Sequence, residues 1–321
     1  MATRPTPQTE TPLVPDLGKI ADGPATVAAL IERSGRVGEG TPIRRSFVQP
    51  LDRTRQRQGG PLAQLVRRRD LRALQLYLLA LTLASTEPWD VKRDSRVWAR
   101  ALDLGTTTSS REAVSKAWRR LRDLKLVSSS RDHRRAKVTM LREDGSGEPY
   151  AYPDPDRRED RYLRLPFAFW TEGWYQRLSL PAMAMLLVLL AEKDDVVLPI
   201  DRVPEWYGIS RASAQRGLEE LRQQGLAELR IEQRIEPLAP EGYTFERHHR
   251  LVGPFVRPKR AAAAAAVTPL KPTTAMRRRL RRLSSARATS ATSPPTSSPT
   301  KKVAGNRGAG ASAGGTVGRA D

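Results

Sequence analysis

Ser110-Arg-Glu-Ala-Val-Ser-Lys-Ala-Trp-Arg-Arg-Leu-Arg-Asp-Leu-Lys-Leu126 returns 100 residues later as Ser210-Arg-Ala-Ser-Ala-Gln-Arg-Gly-Leu-Glu-Glu-Leu-Arg-Gln-Gln-Gly-Leu226, aligned without a gap. Ser, Arg, Leu, Arg and Leu recur at 110/210, 111/211, 121/221, 122/222 and 126/226, and Lys116 and Arg216 keep the same charge. Both stretches have helical periodicity. Val114, Ala117, Trp118, Leu121 and Leu124 fall on one arc, and Arg111, Glu112, Ser115, Lys116, Arg119, Arg122 and Asp123 on the other. In the second copy Ala214, Gly217, Leu218 and Leu221 face inward, with Arg211, Gln215, Arg216, Glu219 and Arg222 outward. A repeat of this kind marks a duplicated module.

Working outward, the surroundings of the two copies also match. Asp70 is placed to cap a helix through Ala84, with Leu71, Leu74, Leu78 and Leu81 at helical spacing. A second helix is expected over Asp94–Leu102, and a third from about Ser109 or Ser110. Val127–Ser130 and Ala136–Leu141 read as strands around the basic tip Arg131-Asp-His-Arg-Arg135. In the second copy Ser179 caps Leu180–Glu192, with Pro181 tolerated in the first turn. A short helix over Asp201–Tyr207, a longer one over Ser210–Gly225, and a hairpin of Leu226–Ile235 with Tyr243–Leu251 follow. Helix, helix, helix, hairpin therefore occurs twice. The expected fold is mainly α with small β-hairpins (α+β), as two units at 62–142 and 162–256 joined by a linker at 143–161. The Pro/Thr/Gly/Arg-rich segment 1–61 and the basic low-complexity tail 257–321 are expected to be disordered, with only Ala25–Arg33 able to form a short helix.

Composition limits the function. The chain has 321 residues, with 56 Lys+Arg against 35 Asp+Glu, a net charge of +21. Such an excess calls for a polyanionic partner. It is unevenly spread: +3 over residues 1–66, +8 over 67–165, −3 over 166–256 and +13 over 257–321. Absence of cysteine excludes disulfides and thiolate metal sites. The histidines (His133, His248, His249) are too few and too badly spaced for a metal or nuclease centre, and His248-His249 reads as surface. No glycine-rich phosphate loop or acidic cluster suggests an enzyme, and no cofactor or small-molecule ligand is implied. The apolar stretches fall short of a membrane span, and no secretory signal is visible, so a cytoplasmic, nucleoid-associated protein is expected.

The outer arc of the first repeated helix has the chemistry of DNA recognition. Arg111, Arg119 and Arg122 can fork to guanine, while Ser115 and Lys116 anchor phosphates, and Ser110 opens the helix where free N–H groups favour a phosphate. Arg134, Arg135 and Lys137 on the hairpin would straddle the neighbouring backbone. In the second copy Arg211, Gln215, Arg216 and Arg222 form the corresponding set. That copy is net acidic, so the same surface suits DNA contact or a homodimer contact equally well. Arg277, Arg278, Arg279, Arg281 and Arg282 in the tail form a sequence-independent phosphate-binding run. Phe167, Phe169, Trp170 and Trp174 are expected in the core, beside the apolar helix that follows.

The 110–127 stretch resembles the recognition helix of bacterial winged helix-turn-helix proteins: Ser-Arg, then Val, a Ser and basic pair, an apolar pair, Leu, and a closing Leu-Val. It departs from that pattern in Trp118 for Leu, Lys125 for Gly and an extended Thr-Thr-Thr start. Two such units in one chain resemble the initiators of iteron-type plasmid replication. The resemblance implies sequence-specific binding of double-stranded DNA, as a transcription regulator or as a replication initiator of a plasmid or integrated element. A nucleoid-type binder acting through the tail is the remaining expectation.

Overall fold

The computed structural model describes residues 21–36, 40–50, 57–105, 107–132 and 135–256. The elements run α1 (Gly23–Ser34), β1 (Gly40–Arg44), α2 (Pro61–Arg67), α3 (Leu71–Leu83), β2 (Asp90–Lys92), α4 (Ser95–Ala101), α5 (Thr108–Asp123), β3 (Val127–Asp132) and β4 (Arg135–Met140). They continue with β5 (Tyr162–Pro166), α6 (Ala168–Thr171), α7 (Trp174–Arg177), α8 (Leu180–Ala191), β6 (Val196–Val197), α9 (Val203–Tyr207), α10 (Arg211–Gln223), β7 (Ala227–Ile235) and β8 (Tyr243–Leu251). The result is a mixed α and β fold with small antiparallel sheets.

Short polar side chains start the helices where the sequence placed them. Asp70 accepts from the Ala73 N–H at 3.1 Å and Asp94 from Arg96 at 2.8 Å, satisfying helix-end donors. Ser179 and Ser210 do the same for Ala182 and Ser213. The third helix of the first copy departs from expectation. Its cap is Thr107, which accepts from Ser110 N–H at 3.2 Å, so α5 gains a turn that α10 lacks.

The duplication extends to the sheets. The strand order is β2-β4-β3 in the first copy and β6-β8-β7 in the second. In each, a short strand between the first two helices pairs with the outgoing arm of the hairpin, Val91 opposite Val138 and Val196 opposite His249. The sequence reading missed both short strands, which are too brief to show alternation. The turn after the third helix is shared too: Lys125 and Gly225 both take left-handed φ, 55° and 65°. Glycine adopts that conformation freely, so Lys125 holds it at a cost.

The boundaries differ from those expected. Segment 1–61 is not wholly disordered, and 143–161 is not a free linker. Arg44, 1% exposed, hydrogen-bonds through Nη1 to Glu143 at 2.7 Å and through Nε to Asp160 at 2.6 Å. Its Nη2 donates to the Ala151 carbonyl at 2.9 Å. Burial alone would lower the Arg44 pKa, but its bonds to Asp160 and Glu143 outweigh this and raise it. Burial holds the Glu143 carboxyl above its ordinary range despite the guanidinium, whereas for Asp160 burial is outweighed by Arg44 and the carboxyl is held low. Strand β1 pairs antiparallel with β5, Gly40 opposite Pro166 and Arg44 opposite Tyr162. The N-terminal segment thus bridges to the start of the second copy.

Helices α3 and α8 are apolar nearly all round and buried nearly all round, as such helices must be. In α3 the sequence assigned an inward face, yet Gln75, Leu76, Tyr77, Leu79 and Thr82 are buried as well. The N-terminal segment and the second copy cover them. Thr41 Oγ1 lies 2.8 Å from Thr82 Oγ1, and Gln75 Nε2 donates to the Tyr175 carbonyl at 2.6 Å. Phe169, Trp170 and Trp174 are buried, as expected of core aromatics. The two copies therefore share one hydrophobic core within one compact unit.

Candidate nucleic-acid interface

Both repeated helices are fixed in the same way. The residue at 120/220 reaches back to the cap of the first helix in its own copy. Arg120 Nη2 donates to Asp70 Oδ1 at 2.9 Å and its Nε bonds Oδ2, while Asp70 still caps α3. At the matching position Glu220 accepts from the Ser179 N–H at 2.7 Å and from its hydroxyl. The polarity is reversed and the position conserved within the repeat. This lock orients the outer arc, because 120 and 220 sit beside the buried positions Leu121 and Leu221.

On α5, Ser115, Lys116 and Arg119 are exposed and have no partner among the described residues. Arg122 is exposed and donates to Ser129 Oγ on β3 at 2.9 Å, a neutral partner that leaves its charge available. Arg111 is half-buried; it donates to Thr108 Oγ1 at 3.2 Å, and its Nε has no partner. These side chains share one arc of the helix with the exposed carboxylates Glu112 and Asp123, so the face is cationic on balance. Two expected members do not join it. Ser110 is buried, held by Thr107 and by the Leu104 carbonyl, because the extra turn moves the helix start away from it. Lys137 pairs with Asp90 Oδ2 at 2.7 Å across the sheet, so its charge is neutralised within the fold. Arg134 lies outside the described residues, as do Arg277, Arg278, Arg279, Arg281 and Arg282; Arg135 opens β4.

On α10 the cations are mostly answered locally. Arg211 Nη1 lies 3.2 Å from Asp201 Oδ1, and Arg222 pairs with Glu219, the residue that stands where the first copy has Arg119. Gln215 and Arg216 remain exposed. Arg216 faces an open cleft of about 720 Å³ also lined by Arg67, Arg69, Ser179, Ser210, Ser213 and Glu220. Sequence reading overlooked Arg67 and Arg69. The run Arg67-Arg-Arg69 before the Asp70 cap was the available signal, but only the shared core brings it beside α10.

The last strand also corrects an expectation. His249 is 6% exposed rather than a surface residue, because it lies on the same face of β8 as the buried Leu251. Burial, with the nearby charges of Arg222, Arg247 and His248, pushes its pKa down to about 4. His248 lies 3.6 Å from Asp195, 3.4 Å from Glu232 and 3.6 Å from Glu246, yet no group of histidines and carboxylates among the described residues is arranged to hold a metal. No described helix is long and apolar enough to cross a membrane. Comparison with protein families, curated proteins and solved structures gives no match.

Proposed function

We propose that the chain carries two winged helices in tandem and reads double-stranded DNA sequence-specifically, acting as a transcription regulator. The observation that carries this reading is the contrast between the two equivalent helices. Both are locked by the residue at 120/220, but among the described residues Ser115, Lys116 and Arg119 of α5 have no partner while Arg211 and Arg222 of α10 are neutralised. Arg111, Lys116, Arg119 and Arg122 outnumber Glu112 and Asp123 on this arc, and the cationic excess favours phosphates. The first unit supplies base reading through Arg111, Arg119 and Arg122, with Ser115 and Lys116 on phosphates. The second adds Gln215 and Arg216.

A second reading, replication initiation at clustered repeats, is favoured by the asymmetry of the two units on one shared core. Such a body suits a composite site with fixed spacing. The test is selection of bound fragments from genomic DNA by the full chain and by a chain ending at Val256, at near-physiological salt. Dispersed promoter sites support regulation, and clustered direct repeats at one locus support initiation. A chain ending at Val256 that enriches no sequence would overturn specific reading and leave the tail as a non-specific contact.

A further inference from the structure

The second hairpin is close to charge-balanced. It carries Arg230, Arg234, Arg247 and Arg250 against Glu228, Glu232, Glu236, Glu241 and Glu246, so it lacks the cationic excess that phosphate contact needs. It also exposes large apolar side chains: Ile231 at 55%, Ile235 at 81% and Phe245 at 57%. Ile231, Ile235, Tyr243 and Phe245 share one face, because Ile231 lies opposite Arg247, Gln233 opposite Phe245 and Ile235 opposite Tyr243.

Strand β7 is an edge. Among the described residues it pairs only with β8, over an unbroken register of 9 residues containing neither proline nor lysine. Its protection is charge alone, from Glu228, Arg230, Glu232 and Arg234, and a strand of complementary charge turns that protection into pairing. The backbone phase fixes which groups are free. The Glu236 N–H donates to the Gly242 carbonyl and the Val252 N–H to the Leu226 carbonyl, so even-numbered residues of β7 bond to β8. The N–H and C=O groups of Leu229, Ile231 and Gln233 consequently point away from it.

We propose that a second copy of this chain docks there, β7 against β7 antiparallel about a twofold axis at Ile231. Charge complementarity selects this partner and this register. In it Glu228 faces Arg234 of the second copy, Arg230 faces Glu232, and each pair recurs by symmetry. Ile231 meets its own counterpart, Leu229 meets Gln233 and the exposed Ile235 meets Ala227. All outward-pointing residues form the hydrogen-bonded pairs, as an edge requires. Sliding the partner by two residues sets Arg against Arg and Glu against Glu. Sliding it by four restores opposite charges but cuts the β7 overlap to its end residues and keeps one kind of Glu–Arg pair instead of two, with Ile231 against Ile235 in one direction and Leu229 against Leu229 in the other. The four charged side chains have partners within their own chain, yet stay about half exposed, with Arg230 at 53%, Glu232 at 47%, Arg234 at 64% and Glu228 at 57%. They can therefore be shared across the axis.

The test is the oligomeric state of the full chain by sedimentation velocity without DNA, at micromolar concentration and moderate salt. The wild type is expected to be a dimer in reversible exchange. One variant, Glu228→Arg with Glu232→Arg, and another, Arg230→Glu with Arg234→Glu, each present like charges to themselves and should dimerise at least roughly tenfold more weakly. Mixing the two should restore a dimer. Ile231→Pro supplies an independent check, because it removes an outward N–H without breaking the β8 ladder and should yield a folded monomer. A monomeric wild type, charge variants that still dimerise alone, or a mixture that stays monomeric would each overturn the proposal. Circular dichroism of every variant separates lost pairing from lost folding. The outcome does not depend on whether the chain reads DNA.

Discussion

Arg119 and Arg120 are neighbours on α5 with opposite expected roles. Arg119 is exposed and unpaired among the described residues, whereas Arg120, 36% exposed, bonds Asp70, 6% exposed, through two nitrogens. An exposed ion pair contributes about 0–1 kcal/mol, and removing one partner of a fully buried pair costs about 3–5 kcal/mol. The Asp70–Arg120 pair lies between these limits, and Asp70 keeps its Ala73 bond after truncation. Arg120→Ala should therefore cost about 1–2 kcal/mol of stability. DNA affinity per folded molecule should change little. Arg119→Ala should leave stability within about 0.5 kcal/mol. It should weaken specific binding by about 1–3 kcal/mol if it pairs a base, or lower the salt slope by about one if it contacts a phosphate. Urea unfolding and salt-dependent fluorescence anisotropy on a selected site measure both quantities. If Arg119→Ala left affinity and salt slope unchanged in a folded protein, the α5 face would not be the DNA contact. If Arg120→Ala cost nothing in stability, the shared lock would be idle.

Four other outcomes follow from the packing and charges. A Cβ at Gly217 would lie 2.3 Å from the Pro181 carbonyl oxygen, so Gly217→Ala should separate α8 from α10 and cost about 1–3 kcal/mol in urea unfolding. Lys125→Gly should stabilise the chain by about 1 kcal/mol, because glycine takes the left-handed turn without the Cβ penalty, as Gly225 does in the second copy. Arg44→Met should cost about 3–5 kcal/mol at pH 7, because it leaves Glu143 buried without its cation. The folded-state pKa of Glu143 is already raised and should rise further, so this loss should shrink as pH falls toward 5 and the carboxyl takes a proton; a pH-independent loss counts against the network. His249, with a folded pKa near 4 against an ordinary 6.5, contributes stability that is present above pH 6.5 and lost as pH falls toward 4. Its ring resonances in NMR should titrate near 4, and titration near 6.5 would mean that the ring is solvated.

The repeated helices, the Asp70 and Ser179 caps and the second hairpin were legible in the sequence, whereas the Thr107 cap of α5 was not. They rest on local rules: a period of 3.6 residues, Asp or Ser before an apolar run, and alternation around a Pro/Gly tip. The bounds of β7 and β8 differ from the expected ones by at most a residue. Tertiary structure decided what had no local signature. Arg44, Glu143 and Asp160 read as solvated charges in a tail and a linker, and only the β1–β5 pairing makes them a buried network joining those segments to the core. Ser110 and Lys137 have the residue types of a DNA contact, but one is consumed by a helix start and the other by a cross-sheet ion pair. Conversely, Arg67 and Arg69 meet Arg216 only because both copies pack on a common core. Periodicity determines which face of a segment is apolar, whereas which charges remain free depends on partners that lie far away along the chain.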